Sequence, residues 1–80
     1  MKGTDSAKKY SEVIKPFINM NPLYGLLSLP AGDGNYESHL KSATIEDLST
    51  AVSLLSAFPD GNRSRLIVCE RQLNRLMKEE

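Results

Sequence analysis

The pattern that most constrains this chain lies in residues 44–80, where apolar residues recur at helical spacing on both sides of a short turn. The turn, residues 59–62, reads Pro-Asp-Gly-Asn, which is typical of tight connections. A connection of that length favours antiparallel packing of the helices that it joins. The sequence therefore predicts an antiparallel helical hairpin with helices at about 44–58 and 62–79.

The first hairpin helix has more apolar surface than its partner helix is expected to cover. Thr44 and Asp47 have the spacing of a helix-capping pair, and Pro59 ends the segment because a residue before proline avoids helical geometry. A third packing partner is expected, from the same chain or from a second molecule. The apolar residues span about half of the helical wheel: Ile45, Leu48, Ala51, Val52, Leu54, Leu55 and Phe58.

The second hairpin helix has basic residues, Arg71, Arg75 and Lys78, on the side opposite its apolar seam. Val68 falls among these basic residues, and Leu54 lies at the far edge of the first helix. Both are expected to form a contact patch if the amino-terminal segment leaves them uncovered. The seam itself consists of Leu66, Cys69, Leu73, Leu76 and Met77.

An amino-terminal helix at about 6–19 is expected to supply the third layer. Pro16 either ends this helix near Lys15 or bends it, since proline removes a backbone donor. Residues 1–5 are expected to be flexible. Five apolar residues share one face of the helix and would complete a three-helix core: Tyr10, Val13, Ile14, Phe17 and Ile18.

A second amino-terminal helix is expected at about 22–28, with Asn21 as its cap and Pro22 at its first position. Residues 30–35 are expected to form a loop, and residues 36–43 are either a short helix capped by Asn35 or irregular.

The predicted fold is all-α. The hairpin and the amino-terminal helices are expected to form one small domain of residues 1–80, a bundle of the three-helix type. If residues 1–30 were mobile instead, a second copy would be needed to form a four-helix bundle.

The composition excludes several classes of protein. With 40% hydrophobic and 25% charged residues, the chain is typical of a globular protein rather than a disordered one. Cys69 is the only cysteine, so the chain has no intramolecular disulfide and suits a reducing compartment. No apolar run is long enough for a signal peptide or a membrane span. We expect a cytoplasmic protein without a membrane partner.

The residues that carry chemistry do not form a recognisable catalytic or metal motif. His39 and Cys69 are the only residues of their types, too few for a zinc site, and we expect a surface histidine and a buried thiol. Residues 33–44 have the spacing of a calcium loop at first, but Ser38 replaces the required glycine and Thr44 the required glutamate. The sequence predicts no enzyme, no cofactor and no metal.

The favoured function is a non-catalytic protein-interaction module, of the kind that serves as a small regulatory or inhibitory protein. The unequal apolar surfaces favour self-association, with a dimer as the first expectation. The candidate contact residues are Leu54, Phe58, Val68, Arg71 and Arg75.

The alternative is a helix–turn–helix-like nucleic-acid-binding protein that uses the second hairpin helix. Against it stand a formal net charge of zero and the acidic pair Glu46 and Asp47. A small-ligand pocket between subunits has no support in the sequence. The candidate nucleic-acid contacts are Asn62, Arg63, Arg65, Arg71 and Arg75.

Overall fold

The computed structural model describes the backbone of residues 2–79 and the side chains of residues 8–79. Within that range the regular structure is entirely helical, which confirms the predicted all-α bundle. The 3-10 turn Lys15–Phe17 follows α1 directly. The five α-helices are α1 (Lys2–Ile14), α2 (Leu23–Ser28), α3 (Gly34–Ser42), α4 (Ile45–Ala57) and α5 (Arg63–Glu79).

The α4–α5 hairpin forms as predicted and has the most extensive helix–helix contact in the bundle. Its start is fixed by a capping box, in which the Thr44 hydroxyl accepts from the Asp47 amide and the Asp47 carboxylate accepts from the Thr44 amide, both at 3.2 Å. In the connection, the Asn62 amide donates to the Pro59 carbonyl at 3.1 Å. Gly61 adopts a φ of 78°, which a residue with a Cβ rarely tolerates.

The short helix α2, rather than α1, occupies the centre of the core. It contacts α3, α4 and α5, and Leu23, Leu26 and Leu27 are all buried. A helix that is apolar around most of its circumference is stable only when it is surrounded. The expected third layer is therefore provided mainly by α2, whose six residues carry no charge.

Pro16 ends the first α-helix instead of bending it. The α-helix stops at Ile14, and the chain continues as one 3-10 turn. Because a 3-10 turn advances by a different angle per residue, the apolar face predicted for 6–19 does not continue. Tyr10, Ile14 and Phe17 reach the core, but Ile18 is 55% exposed, so its predicted place in the core is wrong.

Residues 36–43 belong mostly to α3, which settles the open alternative in favour of a helix. The predicted cap is wrong, because Asp33 rather than Asn35 caps the helix, its carboxylate accepting from the Asn35 amide at 2.9 Å. At α2 the predicted Asn21 cap is also wrong. Pro22 occupies the cap position, and no side chain caps the helix. The Asn21–Pro22 peptide bond is cis.

Gly25 allows α2 and α3 to approach closely, since a Cβ at this position would lie 2.5 Å from Cδ2 and 2.7 Å from Cγ of His39. His39 is thus half-buried against α2 rather than a freely exposed side chain.

We expect Gly25→Ala to lower the free energy of unfolding by about 2 kcal/mol through overpacking. In a His39→Ala background the same change should stabilise by up to about 1 kcal/mol, because alanine favours a helix. Urea unfolding of the four variants measures both effects, and a destabilisation of equal size in both backgrounds would contradict the clash.

Candidate functional site

A group of half-buried and buried polar side chains meets at the carboxyl-terminal end of α2. The last carbonyls of any α-helix lack partners within that helix, and here Pro30 cannot supply an amide to the Leu26 carbonyl. Side chains from three other helices take that role. Tyr36 of α3 donates to the Leu26 carbonyl at 2.9 Å, and Tyr10 of α1 donates to the Leu27 carbonyl.

Arg65 of α5 completes this cap. Its Nε donates to the Leu29 carbonyl at 2.6 Å, and its Nη2 donates to the Ser28 carbonyl at 3.1 Å. A third N–H group donates to the Asn62 side-chain oxygen. Among the side chains of residues 8–79, no carboxylate lies within ion-pair distance of this guanidinium. Its charge is therefore offset by carbonyl dipoles at the negative end of a helix.

The side chain of Asn62 also forms hydrogen bonds within the fold. Its side chain is buried, with 3% of its surface exposed, and its Nδ2 donates to the Phe58 carbonyl at 2.7 Å. Asn62 thus joins the end of α4 to Arg65 at the start of α5. Two of the five candidate nucleic-acid contacts, Asn62 and Arg65, already hold the bundle together. Either side chain would have to break these hydrogen bonds before it could contact a nucleic acid.

Tyr36 and Cys69 form a buried pair, with the tyrosine hydroxyl 3.1 Å from the cysteine sulfur. Burial raises the pKa of the Cys69 thiol and also raises the pKa of Tyr36. A reactive cysteine requires the opposite, a lowered pKa and access to a substrate. The prediction of a buried core thiol at position 69 is confirmed.

The buried tyrosines are expected to make the free energy of unfolding fall at alkaline pH. Burial raises the pKa of Tyr10 to about 12, whereas an unfolded tyrosine loses its proton at about pH 10. Above about pH 10 the unfolded chain binds fewer protons than the folded chain, so the free energy of unfolding falls as pH rises. This contribution is complete below about pH 10 and is lost towards about pH 12. Cys69 adds to the decline from about pH 8.5.

Urea unfolding at intervals between pH 8 and pH 12 tests this expectation. The free energy of unfolding should decline steadily, and Tyr10→Phe should make the decline between pH 10 and pH 12 shallower, even if the variant is less stable at every pH. A decline of the same slope in Tyr10→Phe would contradict the role of this hydroxyl.

The buried face of α5 keeps four of the five predicted seam residues, but it extends beyond them to the side of Arg65; the four are Leu66, Cys69, Leu73 and Leu76. Because α2 also packs on α5, the side that carries Arg65 turns inward. Val68 consequently packs at the edge of the core, where the sequence predicted exposure, and Met77, predicted in the seam, is 57% exposed. Leu54 also packs against the core, whereas the half-buried Phe58 packs on Tyr10, with the two ring centroids 5.7 Å apart.

The outward side of α5 carries an apolar residue that the sequence analysis missed. Ile67 is 45% exposed and lies one helical turn from Arg63 on one side and one turn from Arg71 on the other, both exposed. Arg75 and Lys78 are exposed on the same side. The available signal was the angular position of Ile67, which lies about 100° from Val68 and, like Val68, about 130° from the centre of the predicted seam. We call Arg63, Ile67 and Arg71 the α5 stripe.

A cleft of about 390 Å³ lies beside Arg65, between Tyr10, Tyr24 and Asp60. The Asp60 carboxylate would repel any anion that the guanidinium attracts, and three N–H groups of Arg65 already have partners. The charges and the occupied donors of the cleft therefore do not favour the binding of a small anion.

Across the described residues, no three side chains of the metal-binding types cluster closely enough to hold an ion. The helices described there are too short or too polar to cross a membrane. Comparisons with protein-family models, curated proteins and solved structures found no match.

Proposed function

We propose that this protein is a non-catalytic protein-interaction module that acts through the outward side of α5, with self-association as its simplest form. The observation that carries the proposal is the α5 stripe, in which the exposed Ile67 lies between two exposed arginines. An apolar side chain flanked by arginines is a common centre for protein contacts, because arginine combines a charge with an apolar stem.

Some polar residues stabilise the fold and others are exposed on α5, and this difference supports the same proposal. The groups best suited to chemistry, Tyr10, Tyr36, Arg65 and Cys69, are bonded to one another or to α2. Arg71 and Arg75 of the predicted contact set remain exposed on α5. Leu54 and Val68 pack on the core of their own chain and Phe58 packs on Tyr10, so we place these three at the edge of the surface and Ile67 at its centre.

The test compares two substitutions on the same helix by sedimentation equilibrium. Ile67→Asp should abolish self-association, because it places a charge at the centre of the contact. Met77→Asp is the matched control, since Met77 is at least as exposed (57% against 45%) but lies on a different side of α5. The proposal fails if Ile67→Asp associates as strongly as the wild type.

A second candidate function is nucleic-acid binding by the same side of α5. The observation in its favour is that four cations, Arg63, Arg71, Arg75 and Lys78, are exposed within about 120° of the helix circumference. The two functions differ in their response to salt. Phosphate contacts would make affinity fall steeply with ionic strength, whereas a contact centred on Ile67 would keep most of its affinity.

A further inference from the structure

A second surface feature of the molecule is a groove that has no residue of α5 in its lining and takes no part in the contact proposed above. It has a volume of about 340 Å³ and lies between the 3-10 turn region and the start of α4. Phe17, Met20 and Leu23 form its apolar lining, and Met20 is 50% exposed. Glu46 and Asp47 form its acidic edge.

This groove and the α5 stripe have complementary chemistry. The groove joins an apolar lining to two carboxylates, whereas the stripe joins one apolar side chain to two guanidinium groups. Glu46 is exposed, and Asp47 uses one carboxylate oxygen to cap α4, so both retain acceptor capacity. Among the side chains of residues 8–79, neither carboxylate forms an ion pair.

Met77 is a weaker candidate for the same groove. Glu70 does not distinguish the two, because it lies three residues after Ile67 and seven before Met77. Met77, however, has Leu73 and Asn74 one turn before it and no arginine there. Ile67 has an arginine one turn away in each direction. The charges thus select the α5 stripe over the other exposed apolar residue of α5.

We propose that the groove binds the α5 stripe of a second copy of this chain. Ile67 of one copy enters between Phe17, Met20 and Leu23 of the next, and the flanking arginines meet Glu46 and Asp47. This inference rests on the proposed function and specifies its geometry. Because the two surfaces differ, the contact is compatible with two arrangements: a two-fold dimer in which each stripe binds the groove of the other copy, or head-to-tail addition until a ring closes or a filament forms.

The test uses two variants that each lose one surface. Met20→Asp disables the groove and Ile67→Asp disables the stripe, and both positions are exposed enough to tolerate the change. Each variant alone should remain at the chain mass of 8.9 kDa. When mixed, the intact stripe of one should bind the intact groove of the other, giving a 1:1 complex of twice that mass that does not grow further. Met77→Asp keeps both surfaces and serves as the control, which should associate alone as the wild type does.

The outcomes separate this inference from the proposed function. If Met20→Asp associates like the wild type, the groove is not the partner surface and the inference fails, although the α5 contact stands. If both variants are monomeric but their mixture forms no complex, the stripe does not bind the groove and the inference also fails. If Ile67→Asp associates like the wild type, the proposed function itself fails.

Discussion

Replacing Tyr36 with alanine is expected to lower the free energy of unfolding by about 4 kcal/mol, the typical loss for a fully buried aromatic side chain. Tyr36 is 1% exposed, and its hydroxyl donates to the Leu26 carbonyl. A chain of 80 residues has a total free energy of unfolding of only about 4–12 kcal/mol. Urea unfolding followed by circular dichroism should therefore show that the variant has lost at least about a third of its free energy of unfolding at 25 °C.

Tyr36→Phe separates the contribution of the ring from that of the hydroxyl. It keeps the ring but leaves the Leu26 carbonyl without its donor, so we expect a smaller loss of about 1.5 kcal/mol. Tyr24→Phe is the matched control, since the Tyr24 hydroxyl has no hydrogen-bond partner within the described residues, and its loss should stay within about 0.5 kcal/mol. Equal losses for the two phenylalanine variants would contradict the capping role of Tyr36.

Arg65→Ala is expected to lower the free energy of unfolding by about 3 kcal/mol, because it leaves several acceptors without their charged donor. Those acceptors are the carbonyls of Ser28 and Leu29 and the side chain of the buried Asn62. Chemical denaturation followed by circular dichroism measures the loss directly.

Two further variants complete this test. Arg65→Lys separates the effect of geometry from that of charge at position 65, and Arg63→Ala is the control. Arg65→Lys keeps the charge but cannot span three acceptors, so it should recover less than half of the loss. Arg63→Ala, an exposed arginine two residues earlier, should change stability by less than about 0.5 kcal/mol. If Arg65→Ala proved as mild as Arg63→Ala, the cap on α2 would not stabilise the fold as described.

The hairpin was predictable because its signals are local. The capping pair Thr44 and Asp47, the turn before Asn62 and the position of Cys69 on the α5 seam all follow from spacing within a few residues. Each of these elements has the predicted place in the structure.

The arrangement around α2 was not predictable from such patterns. Arg65 and the Leu29 carbonyl lie 36 residues apart in the chain, and no periodicity indicates that they meet. Because nothing in the sequence indicates this contact, Arg65 is interpreted from the sequence alone as a candidate phosphate contact. The same long-range packing widens the buried face of α5, which brings Val68 to the core edge, whereas Ile67 stays outside. A helical wheel gives relative angles but not the direction of the core when two elements pack against one helix.

The most direct test of the central claim is the mass of the wild-type protein in solution, measured by light scattering over a hundredfold range of concentration, with absorbance at 260 and 280 nm recorded together. We expect the mass to rise from 8.9 kDa to multiples of it as concentration increases, with no excess absorbance at 260 nm. A mass of 8.9 kDa at every concentration would contradict self-association through the α5 stripe.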